Sequence, residues 1–134
     1  MAGARTAATR PGHEDPRLAG RTYAIPFEDV WQGALRIIRE KSKGWTLDLA
    51  DDREGIITAD IKALHRSYNG TFEVRVTLDM NGQTRVDAST ATPSAFADLG
   101  VNVRRLHRFF TALDREADRE YRRRTAPVVA ARAR

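Results

Sequence analysis

The stretch TFEVRVTLDMNGQTRVDAST, residues 71–90, decides the fold of this chain. Its first half has an apolar side chain at every second position, the periodicity of a β-strand with one buried face. Those positions are Phe72, Val74, Val76, Leu78 and Met80. Asn81-Gly82 follows and favours a two-residue type I′ turn, because both residue types tolerate positive φ. The sequence therefore predicts an antiparallel hairpin with one solvated face, whose second strand covers about residues 83–90 and turns Val86 and Ala88 toward the core.

Three more segments alternate in the same way. They are residues 21–25, 45–49 and 57–63, the second of which places Trp45, Leu47 and Leu49 on one side. Acidic turn residues and Gly55 separate the last two of these segments. The sequence thus predicts four to five antiparallel strands in all.

Two helices flank these strands. From Pro26, which suits a first helical position, apolar residues recur at three-and-four spacing as far as Ile38, and Gly44 is a plausible C-cap. From about Val101 the helical spacing returns with Leu106, Phe109, Phe110 and Leu113. The predicted fold is therefore α+β, of order β-α-β-β-β-β-α, with both helices on the apolar face of the sheet.

The charge distribution divides the chain into three parts. The formal charge of +5 consists of +1 in residues 1–20, −1 in residues 21–120 and +5 in residues 121–134. The first part is rich in Ala, Gly, Arg and Pro and lacks periodicity, which predicts a flexible N-terminal tail. A single domain is expected for residues 21–120, followed by a basic C-terminal tail.

Composition excludes several functional classes. The chain has no cysteine, which removes disulfides, thiolate metal sites and thiol nucleophiles. No apolar stretch is long enough to span a bilayer, and residues 1–20 lack the apolar core of a secretory signal. A cytoplasmic location is expected, with peripheral contact to a membrane as an alternative.

The sequence contains side chains of catalytic types, but not the further residues that would complete a metal site, an activated nucleophile or a phosphate-binding loop. No histidine has a second ligand at metal-site spacing, no Gly-x-Ser-x-Gly elbow surrounds the hydroxyl residues, and no Gly-rich phosphate loop is present. The groups considered are His13, His65, His107, Ser89, Thr90, Thr92, Ser94, Glu28-Asp29 and Asp51-Asp52. The sequence predicts no catalytic, metal or cofactor site and hence no enzyme.

The basic end is a candidate contact surface for an anionic partner. Its cations are Arg122, Arg123, Arg124, Arg132 and Arg134. Guanidinium groups suit an acidic protein or an anionic membrane surface. Nucleic acid is not expected, because only Tyr121 could stack on a base.

The segment before the second helix carries a family resemblance. In Asp98-Leu-Gly-Val-Asn102, Gly100 suits a tight corner, and Asp98 or Asn102 suits a helix cap. Together with Pro26-Phe-Glu-Asp-Val-Trp31, this segment resembles the bacterial and plant family catalogued as domain of unknown function 1499 over roughly residues 21–120. The arginine usual in that family just before the aspartate is missing from residues 88–93. The resemblance implies a fold but no activity.

Two functional hypotheses remain from the sequence. The first is a non-enzymatic interaction module, an accessory subunit that docks on a larger assembly through its tails. The alternative is a helix-grip-like domain that holds a small apolar ligand between sheet and helices, near Trp31, Trp45, Phe109 and Phe110. Both tryptophans are expected in the core, and the alternative for Trp45, next to Gly44, is a place at the mouth of a cavity.

Overall fold

The computed structural model describes residues 5–62, 69–93 and 99–127. Its strands are β1 (Arg5–Ala8), β2 (Arg21–Tyr23), β3 (Trp45–Asp51), β4 (Ile56–Ile61), β5 (Gly70–Leu78) and β6 (Thr84–Thr92). Its helices are α1 (Phe27–Arg36), which continues into a π-helical turn (Ile37–Lys41), and α2 (Leu99–Thr125), and a short 3₁₀ turn covers Pro16–Leu18.

The strands form one antiparallel sheet in the order β1-β6-β5-β4-β3, and β2 also pairs with β6. The predicted fold class is confirmed. The sixth strand, β1, lies in the segment expected to be a flexible tail, where Arg5–Ala8 pairs with residues 92–89 of β6. Four residues are too few to show a period, yet they cover the part of the β6 edge that β2 leaves open. An open edge exposes unpaired backbone groups, which explains why the segment is recruited.

The predicted hairpin forms the centre of the core. Phe72, Val74 and Val76 are buried, as are Val86 and Ala88 opposite them. Each of these residues was expected on the inner face, so the strand prediction is confirmed here. Side chains of α1, the π-helical turn and α2 complete the same core, among them Val30, Ile38, Leu106, Phe110 and Leu113.

The alternating pattern fails at two places. Leu78 and Met80 are exposed, because β5 ends at Leu78 and the chain turns around Met80-Asn81, with Gly82 N–H donating to the Asp79 carbonyl. The turn is thus a three-residue loop with Gly82 at φ +77° instead of the expected type I′ turn. Leu49 is exposed as well, because a β-bulge between Leu47 and Leu49 shifts the register of β3.

The two helices contact each other closely beside Gly33. A Cβ atom at Gly33 would lie 3.0 Å from the Ala117 backbone nitrogen, so the hydrogen side chain permits this approach. Helix α2 then continues to Thr125 and includes Arg122, Arg123 and Arg124. The division of the chain into a domain and two tails stays a prediction.

Candidate ligand-binding pocket

A pocket lies at the end of the sheet where β3 begins and β4 ends, between these strands, α2 and the π-helical turn. Its volume is about 300 Å³, at the lower end of the range typical of small-molecule sites, roughly 300–1,000 Å³. The lining residues are Ile37, Lys41, Ser42, Lys43, Trp45, Ile61, Lys62, Arg105, Arg108, Phe109 and Ala112.

The wall of the pocket is apolar and aromatic. Trp45 and Phe109 both pack against the buried ring of Phe72, with ring centroids 4.7 Å and 5.0 Å from it. Ile61 and Phe109 are buried, while Trp45 is partly exposed. Of the four aromatic residues named with the ligand hypothesis, Trp45 and Phe109 line this pocket. Trp31, which was expected in the core, and Phe110 are core residues that do not line it.

The π-helical turn shapes one side of the mouth. It spans Ile37–Lys41 and brings Ile37 and Lys41 to the lining. Ser42 is extended, and Gly44 has φ +82°, so the backbone reverses directly into β3. Wider π turns of this kind occur frequently at functional sites. Here the turn places Lys41, Ser42 and Lys43 consecutively around one opening.

Cationic side chains are numerous in the lining. Among the residues that the structure describes, the lining contains no carboxylate and five cations, which are Lys41, Lys43, Lys62, Arg105 and Arg108. Lys41 Nζ lies 3.6 Å from Oε2 of buried Glu116. Lys43, Lys62 and Arg108 form no ion pair with a carboxylate of the described ranges. The described lining therefore carries a net positive charge.

Arg105 is partly buried and has a hydrogen-bond partner at the end of β6. Its Nη1 donates to Thr92 Oγ1 at 3.2 Å, and that hydroxyl donates to Oδ1 of buried Asn102 at 2.8 Å. Burial lowers the pKa of the Arg105 guanidinium, and the charge of Arg108 adds to this shift. Gly70 makes room for the arrangement, since a Cβ atom there would lie 2.9 Å from Nη1 of Arg105 and 2.4 Å from the Ala91 carbonyl oxygen.

Two of the corner residues predicted from the sequence, Gly100 and Asn102, lie inside the first turn of α2, which begins at Leu99. Of the two cap candidates, Asn102 is therefore inside the helix, and capping by Asp98 stays a prediction. The Asn102 side chain links the helix to the end of β6 through Thr92. Asp98 lies outside the described residues, as do His65, Arg132 and Arg134.

The three described arginines of the basic end make ion pairs within the chain. Arg122 pairs with Asp118 at 2.9 Å, Arg123 pairs with Glu120, and Arg124 pairs with Asp29. None of them lines the pocket. A contact of this end with a partner stays a prediction.

The other candidate groups do not converge on a reactive site in the described ranges. His107 is exposed, and His13 Nδ1 accepts a hydrogen bond from the Asp15 backbone. No group of three or more His, Asp or Glu side chains in these ranges could hold a metal ion. Neither described helix has a segment long and apolar enough to cross a membrane.

An antiparallel sheet packed on a long C-terminal helix, with a pocket between them, defines the helix-grip class of fold. Solved structures with this fold resemble the chain over most of its length. Ara h 8.0201 has 11% identity and a TM-score of 0.57, over 87% of this chain and 99% of that one. XoxI from Bacillus cereus has 13% identity and a TM-score of 0.53, over 90% and 96%. The Zhui aromatase/cyclase from Streptomyces sp. R1128 has 15% identity and a TM-score of 0.50, over 92% and 97%.

At these identities the likeness shows the fold alone. No family model matches the chain, and no curated protein matches it. The resemblance to domain of unknown function 1499 stays a prediction.

The five lining cations of the pocket were not predicted from the sequence. They come from the end of the π-helical turn, the end of β4 and the first turns of α2. The signal was present as Lys41, Lys43, Lys62, Arg105 and Arg108, each at or near the end of a predicted element. This cluster can be recognised only when one knows that the π-helical turn, the end of β4 and the first turns of α2 lie next to each other in the fold.

Proposed function

We propose that the protein binds a small apolar molecule in the pocket between β3, β4 and α2. The observation that carries this proposal is the cavity of about 300 Å³ walled by Trp45, Phe109, Ile37, Ile61 and Ala112. The likeness to helix-grip structures supports it through the fold, since the pocket lies between sheet and long helix. The proposed function is ligand binding, without a chemical reaction of the ligand.

Burial of apolar surface supplies the driving force. A ligand that removes about 200 Å² of apolar surface from water gains roughly 5 kcal/mol before the costs of association. Trp45 and Phe109 present flat faces to the pocket, which suits a planar ring system. From this contribution alone, an affinity of about millimolar is expected when an aromatic ligand fills the cavity.

The hypothesis of an interaction module has less support among the described residues. Arg122, Arg123 and Arg124, the cations expected to dock on a partner, already have acidic neighbours within the chain. A role for the remaining arginines in binding a partner stays a prediction. Within the described ranges no side chain occupies the pocket in a comparable way, and we therefore favour ligand binding.

The test is a titration with the neutral dye N-phenyl-1-naphthylamine, whose fluorescence rises in an apolar site. The protein should enhance its fluorescence saturably with one dye per chain. Ala112→Phe places a ring in the pocket and should abolish the enhancement. Thr111→Phe adds the same ring at the neighbouring exposed position and should leave binding within about twofold of the unmodified protein.

Circular dichroism and thermal unfolding of both variants show whether they are folded. Saturable binding that disappears only in the pocket variant supports the proposal. Binding that persists in folded Ala112→Phe, or no saturable binding by the unmodified protein, would contradict it.

A further inference from the structure

The pocket combines an apolar wall with several cations. Three of the five lining cations, Lys43, Lys62 and Arg108, form no ion pair with a carboxylate of the described ranges, whereas Lys41 has Glu116 beside it. Like charges gathered around one opening repel each other, and each gains from an anion placed among them. A neutral apolar ligand would leave this repulsion in place.

The lining contains two kinds of side chain. Ile37, Ile61, Phe109 and Ala112 offer no polar group to a ligand, while the cations come from α2, from the residue after β4 and from the π-helical turn and the residues after it. The cations are therefore contributed by three separate parts of the chain. A cleft of one charge sign with low-dielectric walls also concentrates the field that a ligand meets.

We propose that the pocket selects amphipathic organic anions, molecules with a planar apolar body and one acidic group that lies among Lys62, Arg105 and Arg108. This inference rests on the proposed function and specifies its ligand class. A guanidinium can donate two hydrogen bonds to one carboxylate or sulfonate. Arg105 is already oriented by its hydrogen bond to Thr92, so less side-chain entropy is lost when it binds the acidic group.

The experiment compares two dyes with the same ring system. N-phenyl-1-naphthylamine is neutral, and anilinonaphthalene sulfonate adds one sulfonate to it. Both are titrated against the full chain at about 0.02 M and about 0.5 M NaCl. The sulfonate should bind roughly tenfold tighter than the neutral dye at low salt, a difference that shrinks at high salt. The affinity for the neutral dye should change little with salt.

Charge-removing variants locate the anion. Lys62→Gln and Arg108→Gln should each weaken sulfonate binding by about two- to fivefold, with little effect on the neutral dye. Arg104→Gln is the matched control, because Arg104 is exposed on the same helix turn and does not line the pocket. It should leave both affinities unchanged.

The outcomes separate this inference from the proposed function. A sulfonate preference lost in the pocket variants and kept in Arg104→Gln supports the inference. If both dyes bind the pocket equally, or if Arg104→Gln matters as much as Arg108→Gln, anion selection is wrong while ligand binding stands. If the neutral dye does not bind and sulfonate binding persists in Ala112→Phe, the proposed function itself is wrong.

Discussion

The Arg124 guanidinium donates two hydrogen bonds to the Asp29 carboxylate, from Nε to Oδ1 at 2.8 Å and from Nη2 to Oδ2 at 2.9 Å. This bidentate pair connects the last turn of α2 to the first turn of α1. The Asp29 side chain is 3% exposed, so the arginine is the cation that accompanies a buried carboxylate. The pair fixes the far end of α2, whose other end borders the pocket.

Removing this pair should destabilise the protein more than removing a neighbouring surface pair. Arg124→Gln leaves the Asp29 carboxylate buried without its guanidinium, which lowers the melting temperature. Arg122→Gln removes only an exposed i,i+4 pair with Asp118 and should cost about 0.3–0.5 kcal/mol. Thermal unfolding of the two variants checks this. Equal melting temperatures would mean that the Arg124–Asp29 pair stabilises the protein no more than the exposed Arg122–Asp118 pair.

Two glycines with positive φ should differ in their response to alanine. Gly82 has φ +77° and open space around it, so Gly82→Ala should cost about 1–2 kcal/mol from backbone strain alone. Gly55 has φ +70°, and an added Cβ atom would clash with the Val76 carbonyl oxygen. Gly55→Ala should therefore cost clearly more. Urea unfolding measures both, and similar losses would contradict this account of the β4–β5 contact.

Alkaline pH should weaken the fold through Tyr23. Its hydroxyl donates to Asp114 Oδ1 at 2.7 Å. Burial and then this hydrogen bond raise the pKa of Tyr23 far above its ordinary value of 10.0. In the unfolded chain the phenol loses its proton near its ordinary pKa, whereas in the folded chain it keeps it. Its contribution to stability is complete below pH 10 and decreases as pH rises above that value.

The matched variant for this effect is Tyr23→Phe. It should lose roughly 1–2 kcal/mol at neutral pH with the hydrogen bond, and its stability should then decrease less between about pH 9 and about pH 11. Urea unfolding at the two pH values gives the comparison. The same alkaline loss in both proteins would show that Tyr23 is not the group responsible.

The hydroxyl of Thr92 should matter for both stability and anion binding. Thr92→Val keeps the shape but removes the group that accepts from Arg105 and donates to Asn102. The expected loss is about 1–3 kcal/mol, because buried polar atoms lose a partner, together with a smaller preference for the sulfonate dye. Thr77→Val, at an exposed position of β5, should be nearly neutral. Equal effects of the two substitutions would contradict the role given to Thr92.

The strands and helices could be predicted because their patterns are local. Phe72, Val74 and Val76 alternate with polar residues, and that period alone determines which face is buried. The same logic failed at Leu78 and Leu49, where the end of a strand and a β-bulge interrupt the period. Strand β1 could not be predicted, because only the open edge of β6 determines where it lies.

The pocket was predictable in kind but not in composition. The aromatic residues Trp45 and Phe109 indicated a possible ligand cavity from their positions at the start of a strand and within the helical stripe. The cluster of lining cations depends on tertiary structure, since Lys62 and Arg108 are far apart in sequence and line one pocket only in the folded chain. Local sequence patterns contain no information about contacts between residues that are distant in sequence.

Methyl NMR spectra of the dye complex show where on the protein the ligand binds. Two-dimensional carbon–proton spectra of the full chain would be recorded during titration with N-phenyl-1-naphthylamine. If the ligand lies in the pocket, the largest shifts occur at the methyls of Ile37, Ile61 and Ala112, while Val86 in the core hardly changes. Shifts concentrated at the exposed methyls of Leu78 and Met80, with Ile37 and Ile61 unmoved, would contradict ligand binding in the pocket.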